Sequence, residues 1–358
     1  MNKITIVYGT RPEYIKLKPV IDELKKSEEI KLNIVKVMQH TDLITDTESD
    51  QTINITQYTG NRLNDITMSI LHDLDLSDTR LLIVQGDTTT GMAAAMCAFH
   101  NEIEVLHIEA LLRSNCIKNP YPEEFNRCVI DLVSDYLTII PKSLNTPYYK
   151  IPALGERQII ASINTAYDDL KKYRTFVPEE EFVLITFHRR ENKKYWSKWF
   201  DMLSNLMQKD PTRQFIMVKH PSITNEKYQL LATNNNLKLI DPIPRDQMID
   251  MIKRAKLVIT DSGGVHEECV YFNKAFICLR VRNERYNLCS KRIEYYNGSY
   301  YIRNNNTNYW GPITKDSLLK DYTNKIATTH TGSYYKPYKD KVSTIRTYIE
   351  NKILKVED

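Results

Sequence analysis

The sequence predicts an α/β protein built from two doubly wound domains in tandem. Three observations carry that expectation. Short β-branched or apolar runs alternate with longer helical patterns, as in parallel sheets covered by helices on both faces. The alternating series occurs twice along the chain. A length of 358 residues, at roughly 100–200 per domain, fits two domains better than one or three.

In the first series the strand-like runs are Ile4–Val7, Leu32–Met38, Leu81–Gln85, Val105–Glu109 and Tyr136–Ile140. Helix candidates Tyr14–Ser27, Asn64–Leu74, Thr90–His100 and Pro122–Val133 lie between them. The second series has runs Phe182–Phe187, Gln214–Lys219, Lys238–Asp241, Leu257–Thr260 and Ala275–Leu279. The joint is expected within Asn164–Phe176, where Asp168, Asp169, Lys171 and Lys172 separate the two series. Domains of residues 1–168 and 169–340 follow. Asn304–Asn308 reads as a surface loop, and Lys341–Val356 as a helical tail that packs back on the first domain.

Apolar residues make up 42% and charged residues 26% of the chain, which excludes global disorder. No apolar run approaches the roughly 20 residues that span a bilayer. Met1-Asn2-Lys3-Ile4 enters a strand-like segment directly, so a cytoplasmic protein without a membrane partner is expected. Forty-nine basic against 45 acidic residues, scattered along the chain, argue against nucleic acid as a partner. Six cysteines show no Cys-x-x-Cys pair and no metal-ligand spacing, and reduced thiols are expected. A Walker-type loop and a Gly-x-Gly-x-x-Gly fingerprint are both missing from the sequence, which weakens kinase and dehydrogenase readings. Neither a cofactor nor a metal is expected.

Ten glycines are under half the usual ~7%, so glycine is expected where little else fits, at positive φ or at close ligand approach. Four of them follow strand-like runs, where α/β sheets bind ligands. Gly9-Thr10-Arg11-Pro12-Glu13 follows the first run, with Lys16 on the next helix. Arg11 and Lys16 put positive charge beside a helix N-terminus, a setting for an anion; an Arg capping a surface turn is the plainer alternative. Leu81–Gln85 runs into Gly86-Asp87-Thr88-Thr89-Thr90. Capping accounts for the hydroxyls but does not require Asp87 beside a turn glycine.

His107-Ile108-Glu109 ends another run and is followed by Arg113 and by Pro122-Glu123-Glu124. Ionised Glu109 and Glu123 need cationic partners or a substrate, and Arg113 and Arg127 are candidate partners in a structural network. In the second half, His188-Arg189-Arg190-Glu191-Asn192 suits a pyrophosphate, because guanidinium forks match phosphate oxygens. A solvated charged turn is the alternative. Asp261-Ser262-Gly263-Gly264 opens a helix carrying Glu267 and Glu268, where free amides and the helix dipole favour phosphate.

Together these motifs resemble the non-hydrolysing UDP-N-acetylglucosamine 2-epimerase family, in order and over nearly the whole chain. The resemblance implies two Rossmann-like domains in a glycosyltransferase-B-type arrangement, a homodimer, and a UDP-sugar site in the interdomain cleft. It assigns Asp87, Glu109, Glu123 and His188 to catalysis. It assigns Arg11, Lys16, Arg113, Arg189, His220, Ser262, Gly263, Gly264, Glu268 and Arg285 to the UDP-sugar. The implied reaction inverts C2 by elimination and readdition of UDP through a 2-acetamidoglucal. A hydrolysing relative, a glycosyltransferase and a silent UDP-sugar-binding module remain as alternatives.

This chain departs from the family pattern in places. Leu111 stands where glycine is usual, His266 replaces Gln before the paired acids, and Tyr286-Asn287 replaces Pro-Glu after Arg285. Gln39-His40 matches the start of the family's patch for an activating UDP-sugar, whereas Thr41-Asp42 does not.

Overall fold

The computed structural model describes residues 1–39, 47–56, 58–114, 116–140, 158–221, 223–229, 231, 233–280, 284, 291–296, 299–304, 310–313, 322–323 and 341–354. Two compact units divide the chain, one of Met1–Asp169 with Pro337–Asp358, the other of Leu170–Lys336.

The first unit runs β1 (Asn2–Tyr8), α1 (Arg11–Leu24), β2 (Ile30–Met38), β3 (Gln51–Asn54), α2 (Arg62–Asp73), β4 (Thr79–Gln85) and α3 (Thr89–His100). It continues through β5 (Glu104–Ala110), α4 (Glu123–Val133), β6 (Tyr136–Ile139), β7 (Gln158–Ser162) and α5 (Ala166–Leu170). Its seven strands lie in the order β3-β2-β1-β4-β5-β6-β7, with parallel pairing throughout. Both faces are covered, and the period-two alternation of a strand sends alternate residues to opposite layers. Ile4, Ile6, Leu81 and Ile83 join Leu17, Val20 and Leu24 of α1 on one side. Val7, Leu82 and Val84 join α2 and α3 on the other, where Ala93, Ala94 and Ala98 bring the helix close.

The end of the chain completes this unit. Helix α10 (Val342–Tyr348) continues into a π-helical turn, Ile349–Ile353. Val342, Ile345, Ile349 and Ile353 are buried in the same layer as α1, and Arg346 lies 3.7 Å from Glu23.

The second unit runs β8 (Glu180–Thr186), α6 (Trp196–Lys209), β9 (Gln214–Val218), α7 (Asn225–Gln229) and β10 (Leu237–Ile240). Then come α8 (Arg245–Arg254), β11 (Ala255–Thr260), α9 (Gly263–Tyr271) and β12 (Phe276–Cys278). Five parallel strands lie in the order β10-β9-β8-β11-β12. Trp196, Trp199, Phe200 and Leu203 of α6 pack with Phe187, Phe215 and Met217 in its core.

A three-stranded antiparallel sheet, β13 (Lys291–Tyr296), β14 (Ser299–Asn304) and β15 (Trp310–Ile313), has no counterpart in the sequence reading. Asn304, expected in a loop, closes β14, and residues 305–308 lie outside the described residues. Strands β3 and β7, at the two edges of the first sheet, were also unanticipated. In β3 only Ile53 is buried, so its sequence carries no apolar run.

Among the described residues no helix is long and apolar enough to cross a membrane. Among them, too, no cluster of three or more His, Cys, Asp or Glu could hold a metal. Cys97 and Cys269 are buried and Cys116, Cys128 and Cys278 half-buried; Cys289 lies outside the described residues.

The fully buried Ile345 tests the role of the terminal helix in the first core. Ile345→Ala should destabilise the protein by about 2–5 kcal/mol, read from chemical denaturation of the full chain. A loss below about 0.5 kcal/mol would show that α10 adds nothing to that core.

Candidate active site

Ligands of open parallel sheets lie beyond the carboxyl ends of the strands, where strand order reverses. That reversal falls between β1 and β4 in the first unit and between β8 and β11 in the second. The motifs read from the sequence stand at these ends.

In the first unit the turn after β1 is held against the turn after β4. A Cβ on Gly9 would run into the side chains of Thr90 and Gln39, so only glycine lets the two turns approach this closely. Thr10 caps α1 by accepting from the Glu13 amide. The Glu13 carboxylate accepts from the Gly9 amide at 3.1 Å, the Thr10 hydroxyl at 2.7 Å and the Thr88 hydroxyl at 2.6 Å. Burial outweighs these donors and raises its carboxyl to about 7. Gly86, at φ +77°, turns the chain after β4.

The carboxylates beyond this turn carry cationic partners. Lys16 of α1 donates to Glu109, which also accepts from Gln85 Nε2 at 2.8 Å. Arg127 of α4 bridges Asp87 and Glu124, and Asn126 Nδ2 donates to the Asp87 carbonyl at 3.0 Å. Glu123, half-buried, is the first residue of α4, where the helix dipole favours a carboxylate. Glu109 has φ +69° and Leu111 φ +60°, a conformation costing roughly 1–3 kcal/mol for a non-glycine residue. Arg11 is exposed at the start of α1.

Arg113, given to the UDP-sugar by the resemblance and to a structural network as the alternative, stands in an ion pair. Its guanidinium is buried and donates to Asp131 at 2.6 Å and to the Leu112 carbonyl at 2.8 Å. An apolar surround leaves a guanidinium stable only when paired in this way.

In the second unit Asp261 ties two strand ends together. It accepts from the amides of His188 at 2.9 Å and Arg189 at 3.1 Å, and from Asn192 Nδ2 at 3.1 Å. Its burial raises its carboxyl above the ordinary range against those donors. Ser262 caps α9 by accepting from the Val265 amide at 3.3 Å, and Gly263 and Gly264 form the first turn. Gly264 has ample room for a Cβ, whose nearest neighbour would be Ser262 Oγ at 3.9 Å. Its lack of a side chain therefore leaves the helix N-terminus open, which fits the close approach of a ligand and not a positive φ.

His188 and His220 stand with ring centroids 5.7 Å apart. Burial, with Arg189, His220 and Arg280 adding positive charge, depresses His188 to about 3, so its imidazole is neutral. Burial lowers His220 as well. Arg189 lies 3.8 Å from Glu191 and 3.9 Å from Glu284. Buried Arg280 pairs with Glu284 at 2.9 Å. Glu268 lies 3.4 Å from Arg245. His266 is fully buried against Phe276, with ring centroids 4.7 Å apart. Arg285, Tyr286 and Asn287, like His40, Thr41 and Asp42, lie outside the described residues.

Several residues of these networks carried no role in the sequence reading: Glu13, Asp131, Asn126 and Arg280. A signal existed for Glu13, because Thr10-x-x-Glu13 has the form of a capping box. Asp131 offered none, since its partners sit 18–24 residues away in sequence.

Two doubly wound sheets, one ending in carboxylates paired with cations and the other in a neutral histidine beside an open helix N-terminus, define a class of α/β enzyme built for an anionic ligand. A family model described as UDP-N-acetylglucosamine 2-epimerase matches residues 22–298. The chain is 29% identical over 320 residues to a UDP-N-acetylglucosamine 2-epimerase of Campylobacter jejuni, covering 80% of this chain and 83% of that protein. It is 30% identical over 314 residues to one of Neisseria meningitidis, covering 79% and 84%. A crystal structure of the Neisseria meningitidis UDP-GlcNAc 2-epimerase bound to UDP-GlcNAc superimposes with a TM-score of 0.76 at 24% identity, covering 98% of this chain and 100% of that one. The Methanocaldococcus jannaschii enzyme in complex with UDP-GlcNAc and UDP gives 0.73 at 25% identity, covering 96% and 98%. The chain belongs to the UDP-N-acetylglucosamine 2-epimerase family and is an isomerase.

The raised carboxyl of Glu13 makes stability depend on pH. Between about 4.5 and about 7 the folded protein holds a proton that the unfolded chain releases, so stability falls as pH rises through that window. The loss should be on the order of 3 kcal/mol. Denaturant titrations across the window should show this decline in the wild type and a flatter profile in Glu13→Gln; matching slopes would place the Glu13 carboxyl in its ordinary range.

Proposed function

We propose that this chain inverts C2 of a UDP-N-acetylhexosamine, interconverting UDP-N-acetylglucosamine and its manno epimer. What carries this reading is the gathering of carboxylates with paired cations at the carboxyl ends of β4 and β5, Asp87 with Arg127 and Glu109 with Lys16, in a chain of this family.

The C2–H bond of such a sugar is unactivated. Breaking the C1–O bond releases UDP and builds positive charge at C1, and that charge makes the C2 proton removable. Its loss leaves a 2-acetamidoglucal. Readdition of UDP at C1 and of a proton at the opposite face of C2 gives the epimer. Asp87, Glu109 and Glu123 serve as proton-transfer groups and as negative charge opposite the developing cation. Two faces need groups on two sides, which is why one carboxylate does not suffice.

The same reading has Arg11, Arg189, His188, His220, Ser262, Gly263, Gly264, Glu268 and Arg285 hold the UDP moiety. The open N-terminus of α9 suits a phosphate, and Glu268 suits ribose hydroxyls. A homodimer acting on a UDP-sugar is part of the proposal. Leu111, in place of the usual glycine beside Glu109, favours including 6-deoxy-N-acetylhexosamines among the candidate sugars.

Turnover in D2O should place deuterium at C2 of a product that is still a nucleotide-sugar, and the bridging C1 oxygen should scramble. Free N-acetylmannosamine with UDP would assign the hydrolysing reaction instead, and binding without C2 exchange would leave only a binding module. Asp87→Asn, Glu109→Gln and Glu123→Gln should each lower turnover by about 10²–10⁴-fold with UDP affinity largely kept. Near-normal turnover in all three would remove the catalytic assignment.

Neutral His188 gives a second check. A bound diphosphate next to it would raise its depressed value, so UDP binding should take up a proton between about 3 and 6.5. Calorimetry in buffers of different ionisation enthalpy reads that uptake. It should vanish in His188→Gln, and equal uptake in that variant would separate His188 from the diphosphate.

A further inference from the structure

The turns that carry Asp87 and Glu109 are joined beneath the surface by a pair of residues that the reaction does not use. His107, on β5, is fully buried. Its Nε2 lies 2.7 Å from the carbonyl of Gly86, and its Nδ1 lies 2.6 Å from Oδ1 of Asp131 on α4. A carbonyl oxygen can only accept, so Nε2 carries a proton. The facing Asp131 carboxylate is kept ionised by the always-charged guanidinium of Arg113, whose Nη1 donates to its other oxygen. An ionised carboxylate also only accepts, so Nδ1 carries a proton too. His107 is then an imidazolium, buried against a carboxylate.

The carboxylate of Asp131 reaches further. It accepts from the amide of Leu111 at 3.2 Å and from Arg113 Nη1 at 2.6 Å. Gly86 immediately precedes Asp87, and Leu111 stands two residues beyond Glu109. One ion pair therefore grips the backbone beside both carboxylates. At both grip points the chain is left-handed, φ +77° at Gly86 and φ +60° at Leu111. A left-handed non-glycine residue persists only where its surroundings over-determine it, and the bond from the Leu111 amide to Asp131 is one such restraint.

We propose that His107 and Asp131 are positioning residues, a buried imidazolium–carboxylate pair that sets the spacing of the Asp87 and Glu109 turns for C2 proton transfer. The inference rests on the catalytic reading of those two carboxylates. Neither residue of the pair touches the sugar; they act through Gly86 and Leu111. Asp131→Asn keeps the shape and an oxygen for the Leu111 amide but removes the charge opposite His107 and Arg113.

The test uses the full-length protein. With labelled histidine, nitrogen NMR of the wild type should show both ring nitrogens of His107 protonated at neutral pH, assigned by their loss in His107→Gln. Asp131→Asn should lower kcat by about 10²-fold, the scale of a small misplacement of reacting groups. Its KM and its calorimetric affinity for UDP should stay within about threefold. Asp131→Glu, which restores the charge, should recover part of kcat.

A neutral His107 ring in the wild type overturns the proposal, and that measurement stands even if every variant fails to fold. So does an Asp131→Asn protein with wild-type kcat, or one in which kcat and UDP affinity fall together. Asp87→Asn and Glu109→Gln, assayed alongside, separate the two levels. If those two turn over normally the catalytic reading fails, and if they are impaired while Asp131→Asn is not, only the positioning role fails.

Discussion

A buried carboxylate must find its compensation where it stands, and each unit of this protein places one beneath its strand-end turns. Asp131 in the first unit and Asp261 in the second are almost fully buried. Their solutions differ. Asp131 takes two charged partners, His107 and Arg113, and is held ionised. Asp261 takes two backbone amides and the Asn192 side chain, and burial still raises it. Charge pairing defeats desolvation in one case, while neutral donors only limit it in the other. In both, the aspartate joins turns that follow different strands, and the chemistry-bearing side chains project from those turns.

The same contrast bears on two buried histidines, His107 within β5 and His188 just after β8. His107 has acceptors on both ring nitrogens and no route to water. His188 has cations around it, Arg189 and Arg280 among them, and is driven neutral. Identical side chains therefore meet opposite surroundings within one chain: oxygen acceptors at both ring nitrogens of His107, and burial with guanidinium groups nearby at His188.

Much of the fold was legible because parallel strands buried on both faces read as short apolar runs, as at Leu81–Gln85 and Leu257–Thr260. The edge strand β3 was not, because a strand with one buried residue has no such pattern. Nor was the antiparallel sheet, although Asn297-Gly298 between Tyr296 and Ser299 is a hairpin signal that the α/β pattern overshadowed. At the site, residues adjacent to a strand end were legible from sequence because the turn chemistry is local. Which partner meets which carboxylate was not, although Arg113 and Arg127 were candidates. Lys16 meets Glu109 across 93 residues and Arg127 meets Asp87 across 40, and no spacing rule reaches that far. Arg113 was legible as a candidate partner for a carboxylate, but the carboxylate it meets, Asp131, was not.

Leu111 shows how the chain departs from its family pattern without losing the turn. The backbone there is left-handed, which for a residue with a Cβ costs roughly 1–2 kcal/mol relative to the right-handed basin. A leucine side chain taken out of water returns roughly 1.5–3 kcal/mol, and Leu111 is 5% exposed, packed with Ala110, Leu137 and Ile139. The two terms are of one size, so burial can offset the strain that glycine would avoid. The consequence lies in the turn itself. Glycine would leave it free to adjust around a sugar, whereas a packed leucine fastens it to β6 and fixes Glu109 from one side while Lys16 and Gln85 hold its carboxylate from the other. Leu111 thus exchanges backbone freedom for side-chain packing at the turn that carries Glu109.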